Sequence, residues 1–135
     1  MSIDTTLGGY LINVDGTRHQ LPVVLNPSDS IIENAIKKVS SAGRGVVILK
    51  CRPTPDIGPE KLELYMDDGN FFLMLGVNEE NGDYIVKTVT NEKMPNNLIA
   101  IMGEKYPARA ITNDVGLACS AFNEFARLGD VAMMR

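Results

Sequence analysis

The side chains that could carry out covalent or acid–base chemistry in this 135-residue chain are few and scattered. Acyl or phosphoryl transfer needs a nucleophile, a base and a stabiliser of developing charge in one place. The one histidine, His19, stands in an expected strand near Pro22, where a lone imidazole is ordinarily a surface or hydrogen-bonded residue. Cys51 and Cys119 sit in apolar neighbourhoods 68 positions apart, which fits buried reduced thiols better than a disulfide or a metal site. Lys50 and Arg52 flank Cys51, but nothing else nearby in sequence argues for a lowered thiol pKa. Gly8-Gly9 and Gly43-Arg44-Gly45 lack the spacing of phosphate-cradling loops, and no zinc or calcium ligand rhythm is present. The expectation is a protein that is not an enzyme and that uses neither cofactor nor metal.

The acids are numerous and unevenly placed. Between Asp56 and Asp83 lie Asp56, Glu60, Glu63, Asp67, Asp68, Glu79, Glu80 and Asp83, against one base, Lys61. That window carries −7 of a chain whose net charge is −4, so the rest of the sequence is net positive. Concentrated like charge speeds encounter with an oppositely charged partner and steers its orientation. The plainer alternative is a set of solvated turns, where Asp, Asn and Gly are favoured anyway. The candidate partner-binding residues are therefore Glu63, Asp67, Asp68, Glu79, Glu80 and Asp83, with Tyr65 as an aromatic anchor of the kind enriched at interface hot spots. A pI near 4.9 argues against direct nucleic-acid binding, which draws on Lys and Arg displacing counterions.

The elements that must position these residues can be read from the apolar pattern. Leu7 to Leu25 reads as a hairpin around Asp15-Gly16, its second strand interrupted at Pro22. Asn26-Pro27-Ser28-Asp29 opens a helix over Pro27 to Ala42, with Ile31, Ile32, Ala35, Ile36 and Val39 as the buried stripe and Gly43 as the stop. Val46 to Leu49 is a short strand, and Pro53 to Pro59 a rigid connection. Lys61, Glu63 and Tyr65 alternate with Leu62, Leu64 and Met66, marking a strand with one wet and one buried face. Asp67 to Asn70 turns it into Phe71 to Leu75, a strand apolar at every position and covered on both sides. Asn78 to Asp83 turns again into Tyr84 to Thr90, which puts the two acidic turns at opposite ends of the central strand.

Asn91 to Asn97 is loop, and Leu98 to Met102 adds a strand before Gly103. Asn113-Asp114 opens a second helix with Val115, Ala118, Cys119, Phe122, Phe125 and Ala126 inward and Gly129 as its stop. The fold class expected is α+β, a mainly antiparallel meander with two helices on one face, in one domain spanning residues 1–135. Apolar content of 44% and charged content of 22% fit a folded globular chain. No apolar run approaches the roughly 20 residues that cross a bilayer, and the first residues lack a signal-peptide layout. The expectation is a cytoplasmic protein without membrane contact.

The second half, about Gly43 to Val131, resembles small immunity proteins found beside bacterial polymorphic toxins, including those of contact-dependent growth inhibition. The likeness is carried by Phe71-Phe72-Leu73-Met74-Leu75-Gly76 before an acidic turn, by Ile101-Met102-Gly103-Glu104, by Ala108 to Asp114, and by Phe122 to Val131. The resemblance implies a non-catalytic inhibitor that binds a cognate toxin C-terminal domain, commonly a basic nuclease, and occludes its active site or substrate cleft. The acidic segment fits such a partner as a phosphate mimic. Two other classes stay in competition: a small-ligand-binding or regulatory module with a pocket between sheet and helices, and a hydrolase using carboxylates alone.

Overall fold

The computed structural model describes residues 3–134 as an antiparallel sheet with two helices packed on one face, an α+β fold. β1 (Thr5–Ile12) turns through Asn13 to Thr17, where Asp15 accepts from both the backbone N–H and the hydroxyl of Thr17. The returning segment is split as the proline requires. β2 (Arg18–Gln20) and β3 (Val24–Leu25) both pair with β1, at its two ends, with Pro22 between them.

Helix α1 runs from Asp29 to Ala42. It starts two residues later than expected because Asn26 serves another purpose. Its side chain accepts from the Thr5 N–H and its own N–H donates to the Thr5 carbonyl, so it fastens the chain to β1 while Ser28 Oγ caps the helix through the Ile31 N–H. Ile32, Ile36 and Val39 are buried, but Ile31 is exposed and Ala35 only half-buried, which narrows the expected stripe. Gly43, left-handed at φ 95°, ends the helix.

The meander follows: β4 (Arg44–Cys51), β5 (Gly58–Asp67), β6 (Asn70–Asn78) and β7 (Tyr84–Lys87), each antiparallel to the one before. Register fixes the faces. Leu7, Leu49, Leu62 and Leu75 form one cross-strand row, and Val47, Leu64 and Leu73 the next, all buried beneath the helices. Helix α2 (Val115–Leu128) adds Ala118, Cys119, Ala121, Phe122 and Phe125 to this core, with Asp114 capping the Leu117 N–H and Gly129 ending it at φ 72°. Val115, expected inward, is exposed at the edge of an open groove shared with Glu33 and Lys37 of α1.

One element departs from expectation. Leu98–Ile101 (β8) does not join the main sheet; it pairs with β9 (Glu104–Pro107) as a separate hairpin. This hairpin lies on the face opposite the helices, where Ile101, Phe72, Ala110 and Ile111 form a second small core. A 3-10 turn at Ala108–Ala110 and β10 (Ile111–Thr112), paired to β6, lead the chain back toward α2. Phe71 and Phe72 are thus buried in different cores, so the central strand is covered on both sides where the hairpin reaches it.

Candidate functional site

The helix-free face of the sheet is covered in part by the β8–β9 hairpin, and its central strands come from the acidic segment. β5 and β6 supply its centre, and strand alternation turns Lys61, Glu63, Tyr65, Phe72 and Met74 toward it. Tyr10 joins through β4, in the row Tyr10, Val46, Tyr65 and Phe72. Arg18 stacks its guanidinium 3.6 Å from the centre of the Tyr10 ring. Tyr106, from β9, packs on Phe72 with ring centroids 4.2 Å apart. Tyr84 lies over Gly76, where a Cβ would overlap the phenol, so glycine at 76 makes room for the ring.

All four tyrosines of the chain are therefore on the helix-free side, whereas Phe71, Phe122 and Phe125 are sealed in the helix-side core. The division follows from the hydroxyl. A phenol on a half-open face keeps its polar end wet, while the same ring in the main core would strand it. Burial, and next the neighbouring Glu63 carboxylate, push the Tyr65 hydroxyl above its ordinary value. Burial does the same at Tyr84, against an opposing influence from Lys61. Both phenols are thus neutral hydrogen-bond donors and acceptors at physiological pH.

The residues expected to bind a partner fall into three groups. Glu63 and Tyr65 are together at the centre, but Glu63 is not a free charge: its carboxylate sits 3.0 Å from Lys61 Nζ and is mostly covered. Asp67 and Asp68 share the β5–β6 turn and divide sharply. Asp67 has a structural partner for each of its two oxygens. One oxygen pairs with Arg44 at 3.4 Å, and the other accepts from the Met102 N–H at 2.7 Å, pinning the β8–β9 hairpin to the sheet. Asp68, at φ 51° beside Gly69 at φ 79°, occupies the positive-φ positions of a tight hairpin turn and makes no ion pair among the described residues. Glu79, Glu80 and Asp83 lie in the β6–β7 turn, closed by Asn81 Oδ1 accepting from the Asp83 N–H. The two acidic turns stand a full strand apart, roughly 30 Å for nine residues at a strand's rise.

The remaining chemistry-bearing residues do not converge here. His19 is exposed on the edge strand β2, and Cys119 is in α2 on the opposite side of the sheet. Both thiols are pushed above their ordinary value, chiefly by burial, with Glu60 adding to it at Cys51 and Glu33 at Cys119. Among the described residues no group of three or more His, Cys, Asp or Glu side chains is gathered to hold a metal ion. No described helix is long and apolar enough to cross a membrane. Beside α1, a half-open apolar groove of about 180 Å³ is lined by Leu7, Leu21, Pro22, Val24, Ile31 and Ala35.

Comparison with known proteins agrees with this architecture along nearly the whole chain. The profile of a family of unknown function, DUF6911, matches residues 4–135. The chain belongs to the DUF6911 family. This DUF6911 protein is also similar to a hypothetical protein from Neisseria gonorrhoeae known from its crystal structure. The two are 28% identical and superpose with a TM-score of 0.81 over 91% of this chain and 86% of that one. No curated protein matches this DUF6911 sequence.

Sequence reasoning had singled out Tyr65 but not Tyr10, Tyr84 or Tyr106, because only pairing register shows that four distant tyrosines share a face. The signal available beforehand was composition: four tyrosines, none of them among the residues expected in a helix stripe.

Proposed function

We propose that this protein is a non-catalytic inhibitor that neutralises a basic toxin domain, a nuclease in the leading case, by covering its substrate cleft with the helix-free face of the sheet. The observation that carries the reading is the gathering of all four tyrosines on the helix-free face, whose central strands β5 and β6 belong to the −7 segment. Tyrosine supplies large, rigid contact area at low entropic cost and is over-represented at hot spots. The acidic turns supply steering rather than a single binding cluster.

Size decides whether two turns a strand apart can serve one interface. A standard interface covers about 800 Å² on each partner, a disc about 30 Å across. Asp68 at one end and Glu79, Glu80 and Asp83 at the other then fall at the rim of one footprint, with Glu63 and Met74 at its middle and Tyr65 one strand step from it toward Asp68. Rim charges act mainly on association rate, which is the role assigned to them here.

The test is co-expression with a basic toxin domain found encoded beside this gene, and a neighbourhood without one counts against the reading. Growth restored by the intact protein, together with a stable complex on gel filtration, supports the reading; a toxin that kills regardless of its presence ends it. The apolar groove beside α1 favours one competitor, a small-ligand module. Its signature is a thermal shift with a small apolar metabolite and none with the toxin domain.

A further inference from the structure

The two edges of the main sheet are finished differently. On one side β2 and β3 are short, and Pro22 between them removes a donor and breaks the edge, a protection against pairing with another chain. On the other side β7, Tyr84-Ile85-Val86-Lys87, holds an unbroken register on β6 with neither proline nor bulge. Among the described residues nothing pairs with its outer side. Tyr84 and Val86 remain 46% and 51% exposed, which is much apolar surface for an edge.

The hairpin bond fixes which backbone groups are free. The Glu79 N–H donates to the Asp83 carbonyl at 2.7 Å, so residues 79 and 83 form a hydrogen-bonded pair. Bonded and non-bonded pairs alternate along an antiparallel ladder, so Ile85 and Lys87 direct their backbone groups at β6, and Tyr84 and Val86 turn theirs outward. Side chains alternate as well. Ile85 packs on the helix-side core, with Asp83 and Lys87 on its side of the strand, while Tyr84 lies over Gly76 on the other.

A second copy of this edge meets those groups in one antiparallel register. Two-fold symmetry makes such a contact self-complementary, and outward backbone groups must face outward backbone groups. Centred on Ile85, the pairing sets Tyr84 against the second copy's Val86, and Val86 against its Tyr84, with about four main-chain hydrogen bonds. It also sets Asp83 against Lys87 and Lys87 against Asp83. Neither residue makes an ion pair among the described residues, so both charges are free for the contact. Aromatic with β-branched and unlike-charge pairs are cross-strand contacts that favour a sheet. Centring on Tyr84 or on Val86 sets Asp83 against Ile85 or Val89 and loses both charge pairs. Lys87, alone a deterrent to edge pairing, thus becomes complementary only to this same edge.

We infer that two copies of this chain join their sheets through β7, in the register centred on Ile85. The contact is an edge and not a face. The centre of the helix-free face stays open, and Asp83 is the one acid of the proposed rim that the pairing takes.

The experiment is sedimentation equilibrium of the full chain, without any toxin domain, from about 0.02 to about 1 mM, the range suited to a small interface. A reversible monomer–dimer equilibrium is expected. Amide exchange followed by NMR should slow at Tyr84 and Val86 as protein concentration rises, with no such slowing in β2, and this locates the contact in the unaltered protein. Asp83→Lys and Lys87→Asp each turn two unlike-charge pairs into two like-charge pairs and should each weaken dimerisation about tenfold. The combined exchange should restore it to within about twofold of the unaltered protein. A chain still monomeric at about 1 mM, a dimer whose Tyr84 and Val86 amides are unprotected, or single reversals that leave dimerisation unchanged would each overturn the inference.

Discussion

At the scale of single residues, what an acid does is decided by what it faces, and neighbouring acids in this chain do opposite work. Asp67 satisfies the Met102 N–H at the turn of a hairpin, whereas Glu79 extends from a turn into water. Asp67→Ala should cost about 1–3 kcal/mol, the usual range when a partly buried donor loses its acceptor. Glu79→Ala should stay within about 0.5 kcal/mol. Urea melts of the two variants check this, and equal midpoints would remove the pinning role of Asp67. Asp15 gives a prediction in pH. The Thr17 hydroxyl, and then the Thr17 N–H, hold its carboxyl below the ordinary 3.8. A group whose folded pKa is depressed contributes stability that is present above its unfolded value and is lost as pH falls through the folded one. The β1–β2 turn should therefore loosen only below pH 3.8, and a carboxyl titration by NMR should place Asp15 beneath that value. The thiols shift the other way. Cys51 and Cys119 should react with an alkylating reagent at pH 8 more slowly than a free thiol, since burial disfavours the thiolate, and a rate equal to the free thiol would contradict their surroundings.

At the scale of elements, the parts legible in the sequence are those whose local signals and tertiary contacts agree. Asp15-Gly16, Asp68-Gly69 and the glycine stops at Gly43 and Gly129 all name their turns outright. The β8–β9 hairpin was not legible, because its turn places Met102, at φ 51°, where Asn or Asp would normally announce a hairpin. The Asp67 acceptor, 35 residues away in sequence, supports that backbone, and a contact so distant leaves no local trace. The start of α1 was misplaced for a similar reason, since Asn26 looks like a cap and is engaged with Thr5 instead. Helix α2 was placed correctly, and its two faces can be separated by experiment. Phe122 is fully buried against the sheet, so Phe122→Ala should cost about 3–5 kcal/mol through lost contact and a cavity. Arg127 is mostly exposed and pairs with Asp29 only at 4.0 Å, so Arg127→Ala should change stability by less than about 0.5 kcal/mol. Equal denaturation midpoints would mean that the apolar side of α2 does not face a core.

At the scale of the whole molecule, the sheet divides two kinds of work. Its helix side is closed by aliphatic residues and three phenylalanines, its other side keeps the tyrosines and the paired Lys61 and Glu63, and the acidic turns stand at the two ends of the central strand. The charge asymmetry was visible in the sequence, but its geometry was not, because register alone decides which members of an alternating strand share a face. That geometry separates two consequences of changing the acids. Glu79 and Glu80 lie in an exposed turn and support no part of the core, so reversing both to lysine should leave the urea midpoint within about 0.5 kcal/mol of the unaltered protein. The same change moves the net charge from −4 to 0, since each substitution adds two units, and it does so at one end of the proposed footprint. Association with a basic toxin domain should slow and lose much of its dependence on salt, while dissociation changes little, as rim charges act on encounter more than on the formed complex. Tyr65→Ala should do the reverse, raising the dissociation rate with little effect on association, because an aromatic near the centre of an interface acts through desolvated contact. Surface plasmon resonance at two salt concentrations resolves both rates. If the charge reversal alters dissociation alone, or Tyr65→Ala alters association alone, the helix-free face is not arranged as a tyrosine centre with an acidic rim.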